Sequence, residues 1–331
     1  MFRQLERTPA PAGANVRQIA VAGESKIEVS EQKDRVDVSI DGTLVTSYHF
    51  SDDLLRPMVH PLQTPAGIVV TRGYPLDKSE TTDHPTQVGI FFAADGVNDS
   101  NFWSATANDY HIEHVAVSKA EGGERRGVLS TTANWIGNDG TTLLEETRDM
   151  RISADRDANT IDFTNSLTAA EKKVVFADPK EALFGIRLAD WMRVESEQTP
   201  PLLGAAQKGG GKYLNSNGAK VEKEVWGNRA KWLRVEAKTG DDSAGVVIFD
   251  HPSNVNHPTY WHARGYGLLA ANPLGQEVFE KTRYSKNVKP LNLTLNPGKS
   301  VTFHYRVLIY DGMKTKRQLD REFDEFAKSS N

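Results

Sequence analysis

Apolar and polar residues alternate along most of the chain. Val36, Val38 and Ile40 alternate with polar neighbours, Ile161, Phe163 and Leu167 do so with one gap, and Val301, Phe303, Tyr305, Val307 and Ile309 form the longest run. A period of two puts one face of a strand on a core and the other toward water or a facing sheet. Asp-Gly at 41–42, 95–96, 139–140 and 311–312, and Asn-Gly at 217–218, punctuate these runs. Such pairs tolerate positive φ and mark turns between strands. The pattern predicts an all-β chain of antiparallel strands. One segment departs from it: between 314 and 328, Leu319, Phe323 and Phe326 fall at helical spacing in a charged background. That predicts a C-terminal amphipathic helix lying on a sheet. Residues 198–211, with two prolines and a Gly-Gly-Gly run, read as a loop. Strand texture is alike on both sides, so the loop is expected to be an insertion in one domain spanning 1–331.

Composition narrows the classes. At 38% hydrophobic and 25% charged, the 331 residues are those of an ordinary globular chain, which excludes wholesale disorder. The net charge of −4 argues against a nucleic-acid partner. No apolar run approaches the length of a membrane span. Without cysteine there can be no disulfide, thiolate nucleophile or Cys-ligated metal. The start, MFRQLERTPAPAGANVRQIAVAG, lacks the apolar stretch of a signal peptide, and a bacterial cytoplasmic or periplasmic protein is expected. The oligomeric state is not set by any of this.

The histidines carry the chemical signal. Four of nine, His60, His84, His251 and His257, directly precede proline, where average proline usage gives roughly 0.4 such pairs by chance. The residue before proline is pushed toward an extended backbone, so each imidazole is expected on a stiffened segment. Asp83-His84-Pro85 and Asp250-His251-Pro252 add an aspartate that can orient the ring if the side chains meet. The segment Asp250–Gly275, DHPSNVNHPTYWHARGYGLLAANPLG, is the densest, with three histidines, two tyrosines and a tryptophan. Hydrogen-bonding groups interleaved with aromatics suit a sugar, whose C–H face packs on rings while its hydroxyls meet amides and charges. A second dense stretch, running from Arg72 to Trp103, could converge with it.

Structural readings stand beside these. A single His-Pro step is ordinarily a turn, and Trp226 and Trp232 are expected as core or sheet-face aromatics. Glu145 and Glu146 alternate with Arg148 and Arg151, as in either a solvated strand face or a carboxylate–arginine pair. His111 and His114, three apart in a strand-like context, are expected on opposite faces. His251, His257 and His262 match no standard zinc spacing, although an irregular loop can still gather them around a divalent metal. There is no G-x-S-x-G elbow, P-loop or dinucleotide fingerprint.

The Asp250–Gly275 motif, together with HPLQTPAGIVVTRGYP from His60, DHPTQVGIFFAADGVNDSNFW and WGNRAKW, resembles a bacterial family labelled "methane oxygenase PmoA" over residues 45–312. The resemblance implies a β-supersandwich like that of galactose mutarotase, in which a sugar lies across a concave sheet and meets histidines and carboxylates. It implies His84 and His262 or His251 as acid/base groups, with Arg72 and Asp250 holding hydroxyls. It also implies a second His and an Arg after the Asp-His-Pro, where this chain has Thr86, Gln87 and Val88.

The expectation is a carbohydrate-active enzyme that epimerises, eliminates from or hydrolyses a sugar or keto-glycoside by acid/base catalysis. His84, His251, His262, Glu145 and Asp250 are the catalytic candidates. Arg72, Asp83, Trp103, Asn254, His257, Trp261, Arg264 and Asn272 are the substrate-binding ones. The partner is then a small carbohydrate, and no cofactor is expected. Two alternatives remain: a non-catalytic glycan-binding protein, and a metal-dependent lyase or oxygenase with His251, His257 and His262 as ligands.

Overall fold

A computed structural model describes residues 25–104, 110–198 and 209–329. Two large sheets face each other. The first, nine-stranded, runs in space Tyr260–Arg264, Leu268–Asn272, Ala182–Arg187, Ile90–Ala94, Met58–Val59, Thr43–His49, Arg35–Ile40, Lys26–Glu31, Gly123–Glu124. The second, eight-stranded, runs Lys212–Asn215, Trp232–Thr239, Asp242–Asp250, Ser300–Asp311, Ala158–Ala169, Thr142–Ala154, Arg126–Ile136, His111–Glu121. Neighbouring strands within both sheets pair antiparallel. The all-β class and the β-supersandwich architecture are as expected.

Alternation explains the interior. Phe303, Tyr305, Val307 and Ile309 point into the core between the sheets, where Val36, Val38, Ile161, Phe163 and Leu167 also lie. The gap in the Ile161–Leu167 run is Asn165, itself fully buried. Its amide donates to Glu146 at 3.1 Å, and Glu146 also takes the Trp135 indole N–H at 2.8 Å and pairs with Arg148 at 2.7 Å. A polar cluster thus sits inside the sandwich around the Glu146 carboxylate, with the Asn165 Oδ1 left without a partner among the described residues. The carboxylate–arginine alternative holds for Glu146, whereas Glu145 is solvated. Asp41 and Gly42, both at positive φ, make the tight turn expected between Arg35–Ile40 and Thr43–His49.

Part of the outer face of the eight-stranded sheet is covered by the C-terminal helix, Lys316–Phe326. Leu319, Phe323 and Phe326 pack on Trp232, Val247, Phe249, Leu308 and Tyr310. This is why Leu308 and Tyr310 interrupt the polar side of an otherwise alternating strand. Two further helices, Glu222–Val225 and Gln276–Tyr284, were not foreseen. Residues 199–208, most of the expected insertion loop, lie outside the described residues. Among the described residues, no helix is long and apolar enough to cross a membrane.

Candidate functional site

The outer face of the nine-stranded sheet carries an unusual set of buried charges. Arg187, on the Ala182–Arg187 strand, and Arg72, in the segment before Ile90–Ala94, are both fully buried. Each reaches Asp83: Arg187 at 2.7 Å and Arg72 at 3.2 Å. Arg72 also donates to the carbonyls of Thr81, Asp83, His84 and Gln87 at 2.5–3.0 Å. Its charge organises the 81–87 loop. Burial lowers the Arg72 pKa to about 10, with Arg187 adding repulsion, and the group stays protonated at neutral pH.

Asp83 and His84 do meet. His84 Nδ1 lies 2.7 Å from Asp83 Oδ2, a hydrogen bond in which the ring nitrogen donates. Burial works against ionisation of Asp83, but the His84 hydrogen bond and the two guanidinium groups outweigh it and hold the carboxyl well below the usual range. His84 is 44% exposed at its side chain and stacks on Tyr266 with centroids 4.4 Å apart. The Arg187 guanidinium lies 4.7 Å from the Tyr266 ring centre, and the Gln87 amide donates to the Tyr266 hydroxyl at 3.4 Å. His84 has φ of 45°, departing from the extended backbone expected before proline. Left-handed backbone in a non-glycine residue costs about 1–3 kcal/mol and persists only where surroundings over-determine it. Here the Arg72 contacts to four loop carbonyls supply that constraint.

Trp103 and His262 share this sheet face. Trp103 packs edge-on against Phe91, with Leu268, Ala270 and Tyr266 completing a small apolar cluster. A side chain at Gly185 would collide with the Phe91 ring, so glycine there lets the ring lie flat across the strand. His262 is buried between Trp103 and Phe279, and burial, with Arg264 second, lowers its pKa to about 3. It is a neutral imidazole.

The remaining expected residues are elsewhere or already engaged. Asp250 is fully buried at the end of its strand, accepting from His257 Nδ1 at 2.7 Å, Thr259 N at 2.9 Å and Asn254 Nδ2 at 2.8 Å. Asn254 also clasps His304 through both its amide groups. His257 stacks on Phe323, and His251 meets Phe326 edge-on while its Nδ1 accepts from Ser253. These four residues hold the 250–259 loop against the C-terminal helix. Asn272 donates to Pro179 O and Lys180 O and accepts from Leu274 N and Gly275 N, so no capacity remains for a sugar hydroxyl. Trp261 faces the sandwich core and donates to Ala230 O. Arg264 pairs with Glu222 and lies over Trp226.

These placements bear on three of the expectations. The proposed metal ligands are not gathered: His262 is on a strand of the nine-stranded sheet, whereas His251 and His257 are under the C-terminal helix. Among the described residues no group of three His, Asp or Glu side chains is arranged to hold a metal. Arg72 and Asp250, expected to hold hydroxyls, are both fully buried and bonded to other groups of the chain. His111 and His114 both border a cavity of about 160 Å³, but so do Ile112 and Glu113 between them, so the cavity runs along the strand and does not put the two on one face. The pairing register is unbroken from His111 to His114, so strand alternation puts the two rings on opposite faces, as expected. Sequence reasoning missed Arg187, Tyr266 and Gln87.

A family described as of unknown function, DUF6807, matches residues 35–324. The chain belongs to that family. The methane-oxygenase label has no support beside this DUF6807 match. No curated protein matches the chain in sequence. Among solved structures, the DUF6807 chain is similar to a galactose 1-epimerase from Lactobacillus acidophilus (9% identity, TM-score 0.35, covering 88% of this chain and 99% of that one). It is similar also to a galactose mutarotase-like protein from Lactobacillus casei (9%, 0.35, 86% and 100%). An alpha-galactosidase from Lactobacillus brevis matches at 10% and 0.38, over 91% of this chain but 41% of that one.

Proposed function

We propose that this DUF6807 protein is a carbohydrate-active enzyme in which the Asp83–His84 pair performs the proton transfer. The observation that carries the reading is the 2.7 Å bond from His84 Nδ1 to Asp83. It fixes the proton on Nδ1 and leaves Nε2 as an acceptor on a half-exposed ring, with no partner for it among the described residues. Imidazole is the side chain suited to taking and returning a proton near neutral pH. In this reading Nε2 takes the proton of a sugar hydroxyl, or of a C–H beside a keto group. The resulting imidazolium is paired with Asp83, which Arg72 and Arg187 keep ionised, and His84 then returns the proton to the product. Tyr266 holds the imidazole in place by stacking on it, and the buried Gln87 fixes Tyr266 through its hydroxyl. Asp250, His251, Asn254 and His257 are assigned to structure instead.

The test is turnover of a panel of aldoses, followed by saturation-transfer NMR between anomers, and of keto-glycosides, followed by product formation. His84→Ala is expected to lower turnover by about 100-fold, the usual share of a general base. Asp83→Asn is expected to lower it as well, since the ring loses its fixed tautomer. Turnover in His84→Ala within a few-fold of the parent would overturn the assignment.

A further inference from the structure

A second groove lies apart from His84 and shares no residue with its site. It has a volume of about 500 Å³ and is walled by the turn after Lys212–Asn215, by the short Glu222–Val225 helix and the residues after it, and by the end of the Gln276–Tyr284 helix. Its charges are mixed: Glu224 and Glu280 against Arg229 and Lys286. Arg229 is already spent on the carbonyls of Pro258 and Asn256, and the Glu280 carboxylate takes the Tyr260 hydroxyl at 2.9 Å. No net charge is therefore offered to a simple ion.

What the groove does offer is a set of neutral hydrogen-bonding positions beside an aromatic ring. Asn215 is 1% exposed, and its Oδ1 accepts from Asn217 N and Ala219 N. Its Nδ2 makes no hydrogen bond among the described residues, and the residue lines the groove, so a free donor borders it. Water meets such a donor until a ligand group replaces it. Tyr284 is 46% exposed at the rim, its hydroxyl tied to Asn228, so its ring is held in place. Asn217 adds an amide oxygen, while the Lys286 ammonium is held between the Glu280 carboxylate and the Tyr284 ring, 5.1 Å from the ring centre. Donors and acceptors interleaved next to a fixed aromatic ring suit vicinal hydroxyls and the apolar face of a pyranose.

We infer that this groove is a saccharide-binding subsite, separate from the proton-transfer site and independent of its assignment. It holds a neutral oligosaccharide by stacking on Tyr284 and by hydrogen bonds to Asn215 Nδ2 and Asn217.

Titration calorimetry with cello-, xylo- and malto-pentaose tests this. At least one is expected to bind the full chain, and Tyr284→Ala is expected to weaken binding on the order of tenfold, the scale of one aromatic contact. Tyr284→Phe keeps the ring and is expected to retain affinity within a few-fold. Asn215→Asp keeps the turn-forming oxygen but removes the donor, and is expected to weaken binding. Thermal melts of each variant separate lost binding from lost folding. His84→Ala is expected to bind as the parent does. The inference is overturned if no pentasaccharide binds at about 5 mM, near the floor of specific affinity. It is equally overturned if folded Tyr284→Ala binds as the parent does, or if His84→Ala abolishes binding and so places the sugar at the other site.

Discussion

His262 is buried and His60 largely so, and their pKa values fall to about 3 and about 4, with desolvation the largest cause in both. An unfolded histidine titrates near 6.5, so below that pH the unfolded chain binds protons that the folded one does not. Stability therefore holds above about pH 6.5 and is lost as pH falls toward the folded values. By pH 5 the loss is on the order of 2 kcal/mol for each ring. Urea unfolding at pH 7.5 and pH 5 should show the parent losing more stability than His262→Leu, which cannot titrate. An equal loss in both would contradict the burial argument. Asp83–His84 was legible because the two residues are adjacent and precede proline. Arg187 was not, although a single arginine in the apolar run ALFGIRLA was a signal of a buried charge with a partner. That partner, Asp83, is 104 residues away, and no local pattern points across such a distance.

Strands were legible because burial imposes a period of two, and the C-terminal helix because three apolar residues sit on one stripe. Gln276–Tyr284 was not, since Phe279 is its one buried residue, and a single anchor makes no pattern. Asp178 starts that helix instead, its carboxylate accepting from the backbone N–H groups of Glu277 and Val278. The C-terminal helix has its own start signal, in which Thr315 and Gln318 cap each other reciprocally. Thr315→Ala is expected to cost about 1 kcal/mol through the lost cap. Phe323→Ala is expected to cost about 3–5 kcal/mol through the cavity it leaves against Trp232 and His257. Denaturant melts that rank the two in the opposite order would show that capping, rather than packing, holds the helix down.

Across the whole molecule the two sheets present different outer faces. One is partly covered by the C-terminal helix, against which His251 and His257 pack. The other carries the Asp83–His84 pair, partly open, over buried arginines. Stability and chemistry should therefore separate by mutation. His257→Ala removes a donor from the fully buried Asp250 and a ring from Phe323, which should cost about 1–3 kcal/mol of stability. Turnover per folded molecule should change little, because the loop it fastens lies against the other sheet's outer face. His84→Ala should do the reverse, leaving the melting midpoint near the parent's and removing turnover. Relief of the left-handed backbone is not available to alanine, but a half-exposed ring contributes little burial to lose. The experiment is a two-by-two comparison of denaturation midpoint and turnover. If His257→Ala silences the enzyme while remaining folded, the chemistry belongs under the C-terminal helix, and the assignment of the two faces must be exchanged.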